Sequence, residues 1–382
     1  MWPEADAKLC AVRIALFCHS LVSDWNHGSV HFLRGVVAEL LDRGHDVRAY
    51  EPGDGWSRQN LLEDRGEGAL EEIHERFPWM ASVVREYEHD SLDVDEALDG
   101  AELVLVHDSS EPTLVARIGA RRAAGAAFRL LFHDTHHRAV TAPDEIAGYD
   151  LSEYDGVLAF GEVLRRIYLE RDWAERAWTW HEAADTRVFR PLPDMEPEAD
   201  LVWICNWGDG ERGEELRDFM LRPARRLRLR GTVHGVRYPW RGRLAVRLAG
   251  LRYRGRLANH RAPAQFARHR VTVHVPRRPY ARALPGIPTI RPFEALACGI
   301  PLVCAPWDDA EGLFRPGEDL LIARDGNQMC HQLDAVLHDS QLAKALRDNG
   351  LETIAKRHTC AHRVDELLGI ARELGVRAQA PA

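Results

Sequence analysis

Histidine and aspartate residues stand at or just after the end of three apolar runs in the first half of the chain. Histidine and carboxylate side chains are the groups that most often accept or release protons in enzyme sites. Because parallel strands end at one edge of a sheet, we expect these residues to line one cleft. They are His19, Asp24, Asn26, His27 and Gly28 after run 11–17, His107, Asp108 and Ser109 at the end of run 102–107, and His133, Asp134, His136 and His137 at the end of run 128–133.

Histidine and aspartate side chains also bind metal ions. The spacing of these residues in the sequence can distinguish a metal site from a site of proton transfer. Helical zinc motifs place two histidines one turn apart, as in HxxxH. In the sequence HDTHH at residues 133–137 the first and last histidines have this spacing, but the segment follows a predicted strand and is not part of a predicted helix. We therefore expect neither a bound metal ion nor another cofactor.

Short apolar runs alternate with amphipathic stretches, which predicts a parallel α/β sheet. The first half has predicted strands at 11–17, 45–50, 102–107, 128–133 and 156–160, and a predicted helix with apolar residues at Leu33, Val36, Val37, Leu40 and Leu41 that stops near Gly44. Residues 190–200 have the proline-rich, acidic composition of a linker. The pattern then restarts, with strands at 201–205, 231–235, 271–275, 301–305 and 319–323, helices at 211–220, 292–298 and 327–338, and a last helical stretch from Gln341 to about Leu374. Two doubly wound units fit this order better than one long domain.

Composition narrows the class of protein. The net charge of −9 argues against a nucleic-acid binder, while abundant arginine in the second half leaves room for a small anionic ligand. The seven cysteines form no CxxC pair and are expected to be buried thiols of a reducing cytosol. Neither a secretory leader nor an apolar run of about 20 residues is evident, so we expect a cytoplasmic protein without a transmembrane segment. The oligomeric state is left open.

Residues 290–325, IRPFEALACGIPLVCAPWDDAEGLFRPGEDLLIARD, resemble the donor-binding segment of retaining GT-B glycosyltransferases (group 1, family 4), in particular the CgeB-type branch named from a spore-maturation protein. The matching positions are Arg291, Glu294, Cys298 and Gly299, followed by a Gly-Glu-Asp turn at 317–319. The interdomain signature is matched by Asp185, Phe189 and Pro191, and the tail by RHTCAHRVDELL at 357–368.

The resemblance implies two Rossmann-like domains that face each other across a cleft. Residues 1–190 would form the acceptor domain and 191–360 the nucleotide-sugar domain, with 361–382 a C-terminal helix that packs back on the first domain. The implied activity is metal-independent transfer of a sugar from a nucleoside-diphosphate sugar, such as a UDP sugar, to a hydroxyl group. The acceptor is a glycan, a protein or a small molecule.

The resemblance also implies roles for individual residues. Glu294 would hold the ribose hydroxyls, and Arg212 would neutralise the diphosphate, unless it is a solvated arginine paired with Glu211 or Glu215. Tyr238 would stack on the base, unless it packs in the core. The remaining donor-side residues are Asn206, His234 and Arg291, and the loop nearest to both substrates has His19, Asn26, His27 and Gly28. Asp108, His133 and Asp134 are the candidate groups for deprotonating the acceptor, a step that the departing phosphate could also perform.

One departure from the resembling families concerns a carboxylate. They have two glutamates eight positions apart, and the first would fall at Gly286. A nucleotide-sugar 2-epimerase of the same fold and a nucleotide-binding protein without catalysis therefore stay open as alternatives. A nicotinamide-dependent dehydrogenase is disfavoured, because the loop after the first strand lacks GxGxxG. The nearest pair that resembles a metal-binding DxD is Asp308–Asp309, in a loop that the family uses for backbone contacts.

Overall fold

Two parallel β-sheets form the framework of the protein, whose computed structural model describes residues 11–88, 91–208 and 210–376. The first sheet has the strand order β3-β2-β1-β4-β5-β6-β7, and the second has the order β10-β9-β8-β11-β12-β13. In the first lobe the strands are β1 (Arg13–Phe17), β2 (Asp46–Pro52), β3 (Val84–Tyr87), β4 (Leu103–His107), β5 (Arg129–Asp134), β6 (Gly156–Ala159) and β7 (Ala177–Thr179). In the second lobe they are β8 (Ala199–Ile204), β9 (Gly231–His234), β10 (Arg252–Gly255), β11 (His269–His274), β12 (Leu302–Cys304) and β13 (Leu321–Ile322).

Helices connect most of the successive parallel strands, and a loop without a helix connects β12 to β13. The first lobe contains α1 (Val30–Asp42), α2 (Trp56–Arg65), α3 (Gly68–Arg76), α4 (Met80–Val83), α5 (Val94–Leu98), α6 (Pro112–Ala123), α7 (Arg138–Thr141), α8 (Pro143–Ala147) and α9 (Glu162–Glu170). The second lobe contains α10 (Gly213–Leu216), a π-helical turn (Arg217–Leu221), α11 (Arg222–Arg226), α12 (Trp240–Leu248), a 3-10 turn (Asn259–Arg261), α13 (Ala262–Ala267), α14 (Arg278–Ala283), α15 (Ile290–Ala297), α16 (Gly326–His338), α17 (Ser340–Arg357) and α18 (Cys360–Glu373).

Apolar strand sequences explain the position of each sheet. All five residues of β4 are buried, and so are four of the five in β1, because helices cover both faces. Helix α1 buries the predicted stripe except Leu41, which is half-buried, and is followed by Gly44, whose φ of +82° is a conformation that glycine adopts without steric cost.

Several predicted elements need correction. The helix predicted at 211–220 begins only at Gly213, because the backbone of Arg212 is not yet helical. The strand predicted at 319–323 shrinks to β13, since Asp319 instead closes the turn that precedes it by accepting the amide hydrogen of Arg315. The short edge strands β3, β7 and β10 carry too few apolar residues to be recognised as strands in the sequence.

The C-terminal helix α18 leaves the second lobe and packs on α1 of the first. Two backbone hydrogen bonds fix the crossing point, Ala184 to His358 at 3.0 Å and Cys360 to Ala184 at 3.1 Å. Trp180, which is 1% exposed, adds a third by donating from its indole nitrogen to the carbonyl oxygen of Arg363. The two lobes are therefore joined by α18 as well as by the segment after Phe189.

Candidate functional site

A cleft of about 640 Å³ lies where the two sheets face each other. In each sheet the chain reverses its direction of strand addition at one point, beside β1 and β4 in the first and beside β8 and β11 in the second. Loops that leave such points are where ligands bind in open α/β sheets. All four of these loops contribute to the cleft wall, with residues such as Asn26, Asp108, Asn206 and Arg277.

Arg212 presents a buried positive charge to the cleft. Its side chain donates to the carbonyl oxygens of Val275 at 3.0 Å and Asn206 at 2.8 Å, while its Nε has no partner. No carboxylate pairs with it within the part of the chain that the structure describes, because Glu211 and Glu215 pair with other arginines. The alternative of a solvated, paired arginine is therefore wrong. A cation held only by neutral groups is suited to an anionic ligand.

A glycine makes this placement possible. A Cβ atom at Gly208 would lie 2.6 Å from Cγ of Arg212, closer than side-chain atoms approach each other. Asn206 is held by the same guanidinium, whose Nη2 donates to its Oδ1 at 2.6 Å. The side-chain Nδ2 of Asn206 in turn donates to Oδ1 of Asn26 at 2.6 Å, so this hydrogen bond joins the two lobes across the cleft.

A second cation, Arg291, lines the cleft from the first turn of α15. Burial, together with the charge of nearby Arg212, lowers the pKa of Arg291, so an anion bound between the two guanidiniums would relieve their repulsion. Thr289 precedes the helix with φ of +60° and gives α15 no side-chain cap. Free amide groups at a helix start also attract anions. Two arginines and a helix terminus thus converge on one end of the cleft.

Glu294 lies beneath this end of the cleft rather than on its wall. It is fully buried, with one carboxylate oxygen in contact with Nη1 of Arg291 and the other 2.8 Å from Nδ1 of His31. In this arrangement it positions Arg291 and reaches the cleft only through that side chain. The carboxylate of Glu294 is not exposed to the cleft in this structure. Its predicted contact with ribose hydroxyls therefore remains a prediction.

Asp108 is the predicted catalytic residue that lines the cleft. Burial on its own would raise the pKa of this carboxyl, but His107 and Arg138 hold it well below its ordinary value. One oxygen lies 2.8 Å from Nδ1 of His107 and the other 3.1 Å from Arg138. Asp108 is thus an ionised group placed to accept a proton or a hydrogen bond from a hydroxyl group.

His133 and Asp134 lie below the cleft floor instead. His133 is 1% exposed and packs edge-on against Trp180, with ring centroids 4.8 Å apart. Asp134 is fully buried and accepts a hydrogen bond from the Tyr168 hydroxyl at 2.8 Å. Burial, with the added charge of Asp108, raises the pKa of Asp134 well above its ordinary value. Neither residue lines the cleft in the structure. The structure therefore does not support the prediction that His133 or Asp134 contacts a substrate.

The loop after β1 forms the first-lobe wall, and His19, Asn26, His27 and Gly28 all line the cleft. His19 stacks on Trp56 with centroids 4.8 Å apart, and its Nε2 accepts the amide hydrogen of Ser57 at 3.2 Å. Burial, followed by the charge of His107, lowers the pKa of His19 to about 4. The imidazole is therefore neutral at pH 7.

His234 and Tyr238 flank the cleft without lining it. Tyr238 is 3% exposed, and its hydroxyl accepts a hydrogen bond from Trp203 at 2.8 Å and donates to the carbonyl oxygen of Cys205 at 3.1 Å. Core packing, the alternative considered for Tyr238, is what the structure shows. His234 is 6% exposed, while Gly235, next in the chain, reaches the cleft.

Glu182 is a cleft residue that the sequence did not single out. It is 4% exposed, and burial raises its pKa to about 7 despite the hydroxyl of Ser29 and the positive charge of Arg291. It follows the strand β7 and precedes Asp185 of the interdomain signature by three positions. That position after a strand was the available signal, but β7 itself was not recognised.

Gly286, where the resembling families have a carboxylate, lies beside another acidic side chain. Its φ is +87°, and a Cβ atom there would come within 2.5 Å of Oε1 of Glu311. That oxygen accepts the amide hydrogen of Glu162 at 2.9 Å, and the second oxygen lies 2.8 Å from Nε2 of His181. Glu311 thus joins the lobes at the place where a side chain at 286 would stand.

The pair Asp308–Asp309 has a structural role in this region. The carboxylate of Asp309 accepts amide hydrogens from Leu313 and Phe314, each at 2.9 Å, and so closes its own loop. Neither aspartate lines the cleft. Within the described ranges 11–88, 91–208 and 210–376, no group of three or more metal-ligating side chains is arranged to hold an ion.

Solved structures share this architecture along nearly the whole chain. Sucrose-phosphate synthase from Thermosynechococcus elongatus superposes with a TM-score of 0.63 at 15% identity, covering 95% of this chain and 99% of that one. Anabaena HepE in complex with UDP and glucose gives a TM-score of 0.65 at 12% identity, covering 94% and 99%. The T4 phage BGT in complex with UDP-glucose gives 0.54 at 11% identity, with the same coverage. The chain therefore has the GT-B fold, as the sequence predicted.

Residues 216–369 match a family model described as "Glycosyl transferase-like". The matched segment contains α15 and the start of α18, and so includes Arg291 and Glu294. Comparison with curated protein sequences gives no significant match. None of the described helices is both long enough and apolar enough to cross a bilayer.

Proposed function

We propose that this protein is a glycosyltransferase that moves a sugar from a nucleoside-diphosphate sugar, with UDP as the first nucleotide to test, to a hydroxyl acceptor. The observation that carries the proposal is the buried, carboxylate-free guanidinium of Arg212, which faces a cleft between two lobes. The family match over the second lobe and the UDP complexes of two proteins of the same fold support it.

The donor diphosphate is placed against Arg212, Arg291 and the start of α15. Departure of the nucleoside diphosphate builds negative charge on its oxygens, and fixed cations and amide groups can stabilise that charge without a metal ion. Glu294 keeps Arg291 in position from below. The absence of a metal requirement is part of the proposal, and a chelator tests it.

The acceptor is placed on the first-lobe wall, next to Asp108 and Glu182. An acceptor hydroxyl must lose its proton during transfer, and an ionised carboxylate within hydrogen-bond distance can take it. Asp108 is an ionised carboxylate fixed on the cleft wall by His107 and Arg138, whereas burial raises the pKa of Glu182 to about 7, so that this group can keep its proton and donate it in a hydrogen bond. Asp108 is therefore the proposed base, and Glu182 a group that binds a sugar hydroxyl.

The first test is nucleotide binding, measured as a shift of the melting temperature with UDP, GDP and dTDP, each with and without EDTA. A ligand that prefers the folded state raises the melting temperature. We expect UDP to raise it in the native protein and in Arg217→Gln, and to lose this effect in Arg212→Gln. Arg217 is the matched control because it lies five residues further along the chain and is exposed. Equal shifts in both variants, or no shift with any nucleotide, would contradict the proposal.

The second test separates a transferase from the two alternatives. The native protein is incubated with a panel of nucleotide sugars, and the products are followed by NMR. Release of free sugar and nucleoside diphosphate indicates a catalyst that transfers to water in the absence of its acceptor. An inverted centre at C2 of the donor indicates an epimerase. A nucleotide that binds while every donor stays intact indicates a protein without catalysis, the alternative that the glycine at position 286 leaves open.

A further inference from the structure

Helix α12 carries most of the exposed large apolar side chains in the described part of the chain. Trp240 is 69% exposed, Leu244 46% and Leu248 65%, and only Trp56, on the cleft wall, is comparable at 45%. The three residues are spaced four apart. At about 100° per residue they lie within roughly 80° of each other on one side of the helix. They form a single apolar stripe that faces solvent.

Arginines flank this stripe on both sides. The helix sequence is WRGRLAVRL, and Arg241, Arg243 and Arg247 are all exposed. By the same rotation, Arg243 and Arg247 project on one side of the stripe and Arg241 on the other. The opposite face of the helix is buried through Gly242 and Val246. The solvent-exposed side of α12 therefore combines an apolar centre with cationic margins.

The surrounding sequence extends the positive charge. Residues 219–293 contain 19 arginines and no aspartate, glutamate or lysine, although the whole chain has a net charge of −9. On the strand β10 next to α12, Arg252 and Arg254 are exposed. Together with Arg243 and Arg247 they surround a surface cavity of about 550 Å³. No carboxylate of a described residue pairs with Arg247, Arg252 or Arg254. We use the name α12 surface for the apolar stripe together with the four arginines around this cavity: Trp240, Leu244, Leu248, Arg243, Arg247, Arg252 and Arg254.

We propose that the α12 surface docks on an anionic membrane surface. A helix with exposed Trp and Leu on one side and arginines at its margins fits the boundary between headgroups and acyl chains, where Trp is favoured. The unpaired arginines are placed to attract anionic headgroups, to which they are complementary in charge. The length of α12, nine residues, suits a helix that lies in the plane of the surface and not one that crosses it.

Two other occupants fit these observations less well. A symmetric contact with a second copy of this chain would set the same unpaired arginines against each other. A nucleic acid would satisfy the arginines, but it would leave Trp240, Leu244 and Leu248 without a partner, since phosphate contacts need no apolar stripe. A bilayer surface satisfies both parts of the α12 surface at once.

Docking at this place would set the cleft close to the membrane. Arg237 lines the cleft and precedes Trp240 by three positions, so the rim of the second lobe and the α12 surface adjoin. The proposal does not depend on the activity proposed above, because it concerns a surface outside the cleft.

The test is co-sedimentation of the full chain with vesicles of phosphatidylcholine alone and of phosphatidylcholine with 30% phosphatidylglycerol. We expect binding to the anionic vesicles only, and weaker binding as salt rises from 0.05 to 0.5 M. Each arginine near such a surface contributes about fivefold to partitioning, so Arg247→Glu/Arg252→Glu should lose at least about 25-fold. Removing the apolar contact by Trp240→Ser/Leu248→Ser should cost more than about tenfold.

The matched control is Arg324→Glu, because Arg324 is 83% exposed and lies in a different part of the second lobe. It should bind like the native protein, and melting temperatures should show that all variants are folded. Equal binding to both kinds of vesicle, or native binding by the two double variants, would overturn the proposal. It would also be overturned by DNA binding that survives Trp240→Ser/Leu248→Ser, or by a dimer that this variant abolishes.

Discussion

Glu182→Gln tests whether the cleft holds a carboxylic acid that resists ionisation. Glu182 is 4% exposed, and its pKa is raised from 4.5 to about 7, first by burial. A glutamine of the same shape keeps the hydrogen bond to Ser29 but never acquires a charge. The variant therefore removes one property of the site, the cost of forming a buried anion.

The sign of the effect follows from proton binding. Between pH 4.5 and 7 the folded state holds the Glu182 proton more tightly than the unfolded state, so the free energy of unfolding falls as pH rises through this window. A pKa difference of about 2.5 units corresponds to about 3 kcal/mol, all of it lost by pH 8. Relative to the native protein, Glu182→Gln should therefore gain about 3 kcal/mol between pH 4.5 and pH 8.

The assay is urea unfolding, followed by tryptophan fluorescence at pH 5, 6, 7 and 8, for the native protein and Glu182→Gln. Glu63→Gln is the control, since it makes the same substitution at an exposed glutamate on α2, away from the cleft. If the stability difference for Glu182→Gln stays constant from pH 5 to pH 8, the carboxyl ionises as freely as one in water, and the reasoning about its burial is refuted.

Two further predictions concern the sides of the cleft separately. Asp108→Asn removes the proposed base and leaves Arg212 and Arg291 in place, so turnover in the presence of an acceptor should fall by about 100-fold or more while UDP still raises the melting temperature. Glu294→Gln removes the charge that holds Arg291 from below, so it should weaken UDP binding by about tenfold or more, as measured by calorimetry, and lower the melting temperature. Native UDP affinity in Glu294→Gln would mean that Arg291 needs no such support.

The fold could be predicted from sequence because strands covered on both faces are apolar throughout. The apolar run LVLVH predicts the strand β4, and the spacing of apolar residues predicts the helix α1. The edge strands could not be found in this way. Strand β10, with the sequence RYRG, has no fully buried residue, and pairing with β9 alone makes it a strand.

The sequence predicted which loops line the cleft better than it predicted which side chains in them are buried. Residues directly after strands were expected to line one cleft, and Asp108, His19 and Asn206 do so. The predicted strand 128–133 already contained His133, but sequence could not show that β5 extends to Asp134 or that both side chains are buried, because the length of a strand depends on its neighbours. It also could not show that the charge of Arg212 is unpaired, since the nearby glutamates turn towards other arginines.

The glycine at position 286 makes sense together with Glu311. A side chain at 286 would occupy the space of the Glu311 carboxylate, 2.5 Å from its Cβ, so the two positions cannot both hold a long side chain. Glu311 directs its oxygens to His181 and to the amide of Glu162, both in the first lobe. At this place the chain therefore has a glutamate that ties the lobes together. Glu182, next to His181 in the chain, lines the cleft, and under the proposed function it is an acidic side chain that would meet a sugar.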